Sequence, residues 1–149
     1  MADLTAKAVA MAATWTGATD RCVLTYEDRF LRRKVLTTEG GARLLVDLAH
    51  TTSLNHGDAL VLSGGGHVEV VAAAEPLLAV TGPDMVRIAW HVGNRHTPCQ
   101  IEPDRLLIQR DHVIADMLAR IGAEAVEVTE PFTPEGGAYG HGRTHGHSH

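Results

Sequence analysis

The chain has 149 residues and a formal net charge of −5, and 44% of its residues are hydrophobic. This length suits one ordinary domain or two small ones, and the composition is close to the globular average, which argues against a wholly disordered chain. The acidic charge balance excludes a protein whose main task is to coat nucleic acid or an anionic membrane. Aromatic residues make up only 4%, too few for a surface on which nucleic-acid bases stack.

The N-terminal residues give no sign of a targeting segment. They lack the basic region and the apolar run of a signal peptide, and the apolar stretch 8–13 is far too short to cross a bilayer. The two cysteines, Cys22 and Cys99, do not make a disulfide framework. We therefore expect a cytoplasmic protein that binds neither membranes nor nucleic acid.

The first half of the chain consists of short β-branched and apolar runs separated by turn residues. Such runs at a spacing of about ten residues predict a small all-β domain over residues 1–75. The predicted strands are 21–26, 30–38, 42–48, 59–62 and 67–73. The second is expected to return along the first after a polar turn at Glu27 and Asp28, and residues 63–66 are expected to form a hairpin loop.

The pattern changes at residues 75–76 (Glu-Pro), which are predicted to be a linker. A short apolar strand over 77–81 precedes a helix that opens at residues 82–84 and ends at residues 93–94, because proline is favoured in the first turn and glycine at the end. Its apolar residues recur at helical spacing and form one face: Met85, Ile88, Ala89 and Val92. A helix with one apolar face is expected to cover one face of a sheet.

The residues that follow complete the same unit. Two short strands, 100–102 and 105–110, precede a second helix that Asp111 caps and Gly122 ends, and a last strand covers 124–129. The order βαββαβ, with two helices that are each apolar on one side, is that of a ferredoxin-like domain. We therefore predict an α+β protein with an all-β domain over 1–75, a ferredoxin-like domain over 76–134 and a tail over 135–149.

Residues 135–149 combine glycine and histidine with little to bury, which predicts a flexible tail. His145, His147 and His149 alternate, so in an extended chain they lie on one side, and the glycines allow His141 to join them. Neutral imidazole suits Ni(II), Zn(II) and Cu(II), and no carboxylate or thiolate lies among these histidines to favour another class of ion. An expression tag is the alternative interpretation, although tags are usually uninterrupted histidine runs.

Four more residues of the second domain are candidate metal ligands. His91 lies within the first predicted helix, whereas His96 lies on the loop that follows it, where a metal ion could reach it. One imidazole is a poor site, so His96 would need a second histidine or a symmetry mate. The alternatives are a surface residue for His96, a hydrogen-bonded helix residue for His91, a small core residue for Cys99 and a solvated first-turn residue for His112. The spacing alone leaves both interpretations open.

Arg29, Arg32, Arg33 and Lys34 form a basic cluster on a predicted strand. Such runs usually form solvated faces or protect a sheet edge, and the docking of a partner protein on Arg32 and Arg33 is the alternative. The sequence contains no metalloprotease His-Glu-x-x-His, no phosphate-binding loop, no Gly-x-Ser-x-Gly and no dinucleotide fingerprint. We therefore expect a protein that is not an enzyme.

Several short segments of the chain together form a specific pattern. They are Trp-His-Val-Gly-Asn-Arg-His at 90–96, Gln-Ile at 100–101, Asp-His-Val at 111–113, Met-Leu at 117–118, Gly-Ala at 122–123 and Pro-Phe-Thr-Pro-Glu-Gly-Gly-Ala-Tyr at 131–139. This pattern, followed by a histidine-rich end, resembles the UreE family of urease accessory proteins. The resemblance is dense over residues 75–149 and looser over the first half, where residues 32–33 and 57–58 correspond.

The resemblance implies a nickel metallochaperone that delivers Ni(II) to apo-urease together with other accessory proteins, among them a GTPase. It implies a peptide-binding-like β domain and a ferredoxin-like metal-binding domain through which two copies form a homodimer. His96 corresponds to the family's metal ligand and would meet its symmetry mate at the dimer interface, which supplies the second imidazole. Some relatives carry a histidine two residues before the position of His112, and this chain has Arg110 there instead.

Two other function classes remain. A general nickel or zinc buffer or storage protein would need only the histidine-rich tail, and binding to the accessory GTPase would decide against it. A metal hydrolase would use His91 or His96 with an ion, but no carboxylate lies nearby in the sequence at the spacing of a general base. A transfer site is also expected to be labile, whereas a catalytic metal stays held and keeps an open position.

Overall fold

The structure, a computed structural model, describes residues 3–136. In chain order its elements are β1 (Leu4–Ala10), β2 (Ala18–Leu24), β3 (Phe30–Thr37), β4 (Arg43–Ser53), β5 (Ala59–Leu62), β6 (His67–Ala72), β7 (Ala74–Thr81), α1 (Met85–Asn94), β8 (Cys99–Ile101), β9 (Leu106–Gln109), α2 (His112–Arg120) and β10 (Glu124–Pro131). The chain divides into two compact units, Met1–Ala73 and Ala74–His149. The first is a sheet domain and the second combines a sheet with both helices. Neither helix of this described part is long and apolar enough to cross a membrane.

The first unit is a six-stranded mixed sheet in the order β2-β6-β5-β1-β4-β3. β1 and β4 pair in parallel, as do β2 and β6, and the other neighbours are antiparallel. Alternate residues of a strand point to the same face, so Val68 and Val70 of β6 are buried while Glu69 between them is only partly buried. Their side chains form one hydrophobic core with those of Leu44 and Val46 on β4.

The predicted strands of this unit are present, but the pairing of two of them differs from the prediction. β3 does not return along β2: it pairs with β4, and β2 pairs with β6. The pairing of β2 with β6 is favoured by burial: Cys22 of β2 lies in register with Val70 of β6, and both side chains are fully buried. The pattern also fails to predict β1, which has few β-branched residues and forms a strand because β4 and β5 pair with it on its two sides.

Arg29 does not belong to the predicted exposed basic cluster. Its side chain is only 2% exposed, and its guanidinium donates hydrogen bonds to the carbonyl oxygens of Leu24 (2.9 Å) and Leu54 (3.2 Å). The guanidinium carbon also lies 5.9 Å from the centre of the Tyr26 ring. A buried cation is tolerated only where its donors are satisfied, so Arg29 ties the end of β2 to the chain that leaves β4.

The second unit has the predicted order β7-α1-β8-β9-α2-β10. Its four strands form an antiparallel sheet in the order β10-β7-β9-β8. Both predicted helices are confirmed, and each buries one face: Ile88 and Val92 of α1 share a core with Ile114 and Leu118 of α2. The apolar spacing that predicts the helices therefore also predicts which of their faces is buried.

Residues 75–76 do not form the predicted linker. They lie in β7, which pairs with β10 along its whole length. Pro76 is in register with Thr129 of β10, whereas β9 pairs with β7 only from Leu77 onward, so β7 has a strand neighbour on one side only at this position, as is typical for proline in a sheet. The division between the two units falls instead between Ala73 and Ala74.

The buried position of Arg29 generates a prediction about stability. Arg29→Met is expected to lower the free energy of unfolding by about 2–4 kcal/mol, because it leaves two carbonyl oxygens without their charged donor. Urea unfolding followed by circular dichroism measures this loss. Arg33→Met is the matched control, because Arg33 is exposed and its ion pair within residues 3–136 is with Asp47 at 3.4 Å, so its loss is expected to cost less than about 1 kcal/mol. Equal losses in the two variants would contradict the role of Arg29.

Candidate functional site

His96 lies on the turn that ends α1. The helix ends at Asn94, within the predicted pair 93–94, and the N–H of the next residue, Arg95, donates to the carbonyl oxygens of Gly93 and Val92. His96 then adopts a φ of 56°, and its own N–H donates to the carbonyl oxygen of Gly93 at 3.0 Å. A left-handed residue after the cap ends a helix, and histidine is enriched among the few non-glycine residues found there. This turn leaves the His96 side chain exposed.

A cleft of about 220 Å³ lies beside this turn. His96, Cys99 and Ile101 line it together with Glu135 and Gly136, which come from the end of the described chain. Two of the predicted candidate ligands, His96 and Cys99, therefore line the same cleft, together with a carboxylate, Glu135, that the sequence does not predict. Imidazole, thiolate and carboxylate are the side-chain groups that bind transition metals.

Cys99 is the least suitable ligand of these three. It begins β8 and packs against the core of the second unit, and its Sγ lies 3.9 Å from the carbonyl oxygen of Gln100. Burial, and to a smaller extent the negative charge of Glu135, raise the pKa of the Cys99 thiol to about 11. Because a metal ion binds the thiolate, this thiol is a poor ligand near neutral pH.

Residues 132–136, which follow β10, are here named the C-terminal strap. Phe132 at its start is fully buried, and the N–H of Glu135 donates to the carbonyl oxygen of Cys99 at 2.8 Å. β8 is an edge strand of its sheet, so this bond uses a backbone group on an edge strand. The strap thereby leads the chain to the His96 cleft at Gly136, five residues before the first tail histidine, His141.

His91 does not line the His96 cleft. It is half-buried in α1 and lies edge-on to Trp90, with the two ring centres 5.1 Å apart. Both line a separate depression with Val86. Val86 and Trp90 are 84% and 63% exposed and are spaced i, i+4, so they form an apolar outer face of the helix. This face leads along α1 toward the turn at His96.

His112 is the exposed first residue of α2. The preceding Asp111 caps the helix as predicted, since its carboxylate accepts hydrogen bonds from two N–H groups of the first turn. Arg110 donates to carbonyl oxygens of β7 and β10 at 3.1 and 3.0 Å, and its guanidinium lies 3.7 Å from the carboxylate of Glu127. Among the described residues, the depression that His112 lines and the His96 cleft have no residue in common.

Arg32, Arg33 and Lys34 are exposed on β3, an edge strand of the first unit. The register of this strand shifts between Leu31 and Arg33. A charged edge strand with an irregular register is typical of an edge that avoids pairing with another chain. Docking of a partner on Arg32 and Arg33 stays a prediction.

The four tail histidines lie outside the residues that the structure describes: His141, His145, His147 and His149. Within residues 3–136, no three histidine, cysteine, aspartate or glutamate side chains form a group that could hold a metal ion. The role of the tail in metal binding therefore stays a prediction.

Sequence reasoning misses two parts of this site. Glu135 and Gly136 are far from His96 along the chain, and no periodic pattern links them to it. The apolar outer face of α1 is also missed, although the i, i+4 spacing of Val86 and Trp90, opposite the buried stripe of the helix, is a signal that could have identified it.

Two family models match the chain, and together they extend over both units. The model described as UreE urease accessory protein, N-terminal domain, matches residues 4–73. The model described as UreE urease accessory protein, C-terminal domain, matches residues 68–149.

Individual proteins named urease accessory protein UreE are similar over most of the chain. The one from Ruegeria pomeroyi is 69% identical over 135 residues, which is 91% of this chain and 91% of that protein. The one from Cereibacter sphaeroides is 62% identical over 136 residues, 91% of this chain and 74% of that protein. The one from Rhodobacter capsulatus is 56% identical over 144 residues, 97% of this chain and 92% of that protein.

The raised pKa of Cys99 predicts slow alkylation of its thiol near neutral pH. Because the thiolate is the reactive form, the rate with iodoacetamide is expected to rise about tenfold per pH unit and to level off only near pH 11. Mass spectrometry of the peptide that contains Cys99, after timed labelling of the folded protein, measures this rate. Cys22, whose thiol is fully buried, is expected to react more slowly than Cys99 at every pH tested. If the rate for Cys99 levels off below about pH 9, the thiolate forms at a lower pH than expected and the raised pKa of Cys99 is wrong.

Proposed function

Since the chain belongs to the UreE family of urease accessory proteins, we propose that it binds Ni(II) and delivers it to apo-urease while the urease active site is assembled. We place this activity in the cytoplasm. One observation carries the proposal: an exposed imidazole, on a hydrogen-bonded turn, lies beside the cleft at which the C-terminal strap ends. Nickel is the cargo of this protein, so its ligands must release the ion as well as hold it.

The tail can supply further ligands to an ion at His96. An extended chain spans at most about 3.5 Å per residue, so His141 can lie up to about 17 Å from Gly136. The remaining three tail histidines follow at positions 145, 147 and 149. Imidazole ligands suit Ni(II) and also bind Zn(II) and Cu(II), so we expect the same residues to take up these two ions in vitro.

A homodimer formed through the second unit would bring two imidazoles to one ion. The exposed apolar face of α1 supports this arrangement, because Val86 and Trp90 offer apolar surface that two copies could bury and because the face leads to His96. A twofold axis near this turn would place the partner's His96 opposite His96. In this arrangement His91 and His112 stay outside the shared site.

Delivery also requires a recipient. We propose apo-urease for this role, together with urease accessory proteins that include a GTPase. The name of the relatives, urease accessory protein, supports the urease part of this proposal. The first unit would act as a peptide-binding-like domain in this assembly. Arg32 and Arg33 are its candidate docking residues, because both are exposed on an edge strand.

We also assign the second unit to the ferredoxin-like folds. Two features support this assignment: the element order βαββαβ and the antiparallel sheet order β10-β7-β9-β8, in which the first and third strands of the unit are central.

A nickel buffer or storage protein is the second candidate function. The four tail histidines favour it, because they could bind ions without a partner. The two functions differ in a transfer assay. Nickel carried by a delivery protein activates apo-urease faster than the same concentration of free nickel, whereas nickel held by a buffer activates it more slowly.

The proposal predicts a specific effect of removing the His96 imidazole. His96→Ala is expected to weaken the tightest nickel binding by at least about tenfold and to block activation of apo-urease, because the residue is the only ligand fixed on the folded unit in this proposal. The exposed side chain buries little surface, so the thermal midpoint and the dimer are expected to be unchanged. Calorimetric nickel titration and reconstituted urease activation measure the two effects.

His112→Ala is the matched control, since it removes the same group from α2 without touching the His96 cleft or the apolar face of α1. It is expected to change nickel affinity by less than about threefold. If His96→Ala binds and delivers nickel like the parent protein, the tail alone is the functional ligand set and the proposed site is wrong.

The proposed dimer predicts a difference between two exposed valines. Val86 and Val113 are each the second residue of a helix, α1 and α2, so a new glutamate has the same interaction with the helix dipole at both positions. Val86→Glu is expected to raise the dimer dissociation constant by at least about tenfold, because it would bury a charge at the interface, whereas Val113→Glu is expected to leave it unchanged. Sedimentation velocity measures both constants. A dimer that survives Val86→Glu and dissociates with Val113→Glu would place the interface on α2.

A further inference from the structure

The edge strand β8 differs from the other edge strands of the two described sheets in having no charge. These edge strands are β2, β3, β8 and β10. β2 carries Asp20 and Arg21, β3 carries three consecutive cations, and β10 carries three glutamates and a terminal proline. The sequence of β8 is Cys-Gln-Ile, and its Ile101 is 57% exposed. Charges and prolines keep an edge from pairing with another chain, so β8 depends on a different kind of protection.

The backbone groups that β8 directs away from its sheet belong to Cys99 and Ile101. The N–H of Glu102 donates to the carbonyl oxygen of Arg105 at 3.0 Å, and this bond closes the turn between β8 and β9. Because bonded and non-bonded pairs alternate in an antiparallel ladder, Gln100 directs its N–H and C=O groups to β9, and its two neighbours direct theirs outward. A further strand along this edge would pair with both neighbours.

The C-terminal strap occupies the first of these two positions. The N–H of Glu135 donates to the carbonyl oxygen of Cys99 at 2.8 Å, so the strap lies where an incoming strand would have to lie. A second bond joins the strap to a side chain, because Oε1 of Gln100 accepts a hydrogen bond from the N–H of Thr133 at 2.8 Å. The amide of Gln100 is held for this bond by Glu102, which accepts from its Nε2 at 2.8 Å. The strap is thus attached to β8 at two points.

The strap covers the edge without providing a new one. The N–H groups of Thr133 and Glu135 are both used in the bonds to β8, and Pro134 between them has no N–H. A strand that approached the strap from outside would therefore meet a run of residues whose donors are used or missing. Such a segment ends a sheet, because the ladder cannot continue beyond it.

The chain that leads into the strap is anchored independently of these two bonds. Phe132 is fully buried. Two residues before it, Glu130 accepts hydrogen bonds from Arg105 on both carboxylate oxygens, at 2.6 and 2.9 Å. Charge-assisted bonds of this kind are stronger than bonds between neutral groups. Loss of the two strap bonds would therefore uncover β8 and leave the chain before residue 133 in place.

We propose that the strap is an edge guard: it occupies β8 so that this strand cannot pair with β8 of a second copy of the protein. A second copy fits the uncovered edge because two identical strands can pair antiparallel around a twofold axis. Neither strand carries a charge that would repel the other, and pairing would shield the two exposed Ile101 side chains from water. The edge guard involves no metal ion, so this inference does not depend on the proposed nickel function.

The test removes the two donors of the strap from the full-length chain. The proline variant combines Thr133→Pro with Glu135→Pro and eliminates both N–H groups. The matched alanine variant combines Thr133→Ala with Glu135→Ala, which removes the same side chains and keeps both donors. Sedimentation velocity over a range of protein concentrations measures self-association, with a chelator present so that metal ions do not link copies.

We expect the proline variant to associate beyond the oligomeric state of the parent, because each uncovered edge gains backbone hydrogen bonds to its partner. The dissociation constant of this step is expected to be at least about tenfold lower than in the parent, and the alanine variant is expected to match the parent. Hydrogen exchange of the amides of α1 and α2 is expected to be unchanged in the proline variant, because the helices do not contact the strap bonds.

A lysine on β8 locates the association. Ile101→Lys, added to the proline variant, is expected to restore the oligomeric state of the parent, because like charges on paired strands repel. Val126→Lys is the matched control, since Val126 is also 57% exposed and lies on the edge strand β10 of the same sheet. This second lysine is expected to leave the association of the proline variant unchanged.

Three results would overturn the edge guard. The proline variant keeps the mass of the parent at every concentration, or the alanine variant associates equally, or Ile101→Lys does not reduce the association. In the second case the lost side chains are the cause, and in the third another surface is. If the proline variant unfolds, Glu135→Pro alone, which keeps the bond of Thr133 to Gln100, is tested in its place with the same expected results.

Discussion

The turn at the end of α1 is the constraint on which the candidate site depends. A left-handed backbone costs a non-glycine residue about 1–2 kcal/mol, and glycine would adopt it at no such cost. The conformation is held by the N–H groups of Arg95 and His96, which both donate to the carbonyl oxygen of Gly93. A histidine at a position that glycine would occupy with less strain supports the role proposed for its side chain. The same turn both ends the helix and exposes the imidazole.

The edge of the second sheet gives this turn its neighbours. β8 has only three residues and lies at the edge of its sheet, so its outer backbone groups are available to another segment. The strap uses one of them, the carbonyl oxygen of Cys99, and fastens itself further through the side chain of Gln100. A single contact therefore has two consequences. It covers an edge that could pair with another chain, and it brings the end of the described chain, Gly136, to the cleft beside His96.

The sequence pattern predicts the second unit far better than the first. Its helices have one apolar face each, and Ile88, Val92, Ile114 and Leu118 are buried where the spacing predicts. In the first unit, alternation locates strands but does not decide which strands pair, so the parallel pairing of β2 with β6 and the insertion of β1 are not predictable from local pattern. The buried Arg29 is a further example, because its environment comes from carbonyl oxygens that are distant in the sequence. In the site, only the residues near the helix end could be located, and the strap is a long-range contact without a local signal.

The division of ligands between the fold and the tail that we propose is what would distinguish delivery from the other candidate functions. A storage protein needs many donors and no fixed one, so the exposed histidine on the strained turn at His96 would have no purpose in it. A hydrolase needs its ion held by about three protein ligands on the fold, with one position open to water. In the proposed site, by contrast, one imidazole per chain is fixed, and the others come from the tail and from the partner's His96. Ligands of this kind can be withdrawn one at a time, so each step of release breaks one bond while the rest still hold the ion. A recipient with its own ligands can then take the ion in a series of small exchanges, without a step in which all the bonds to nickel are broken at once.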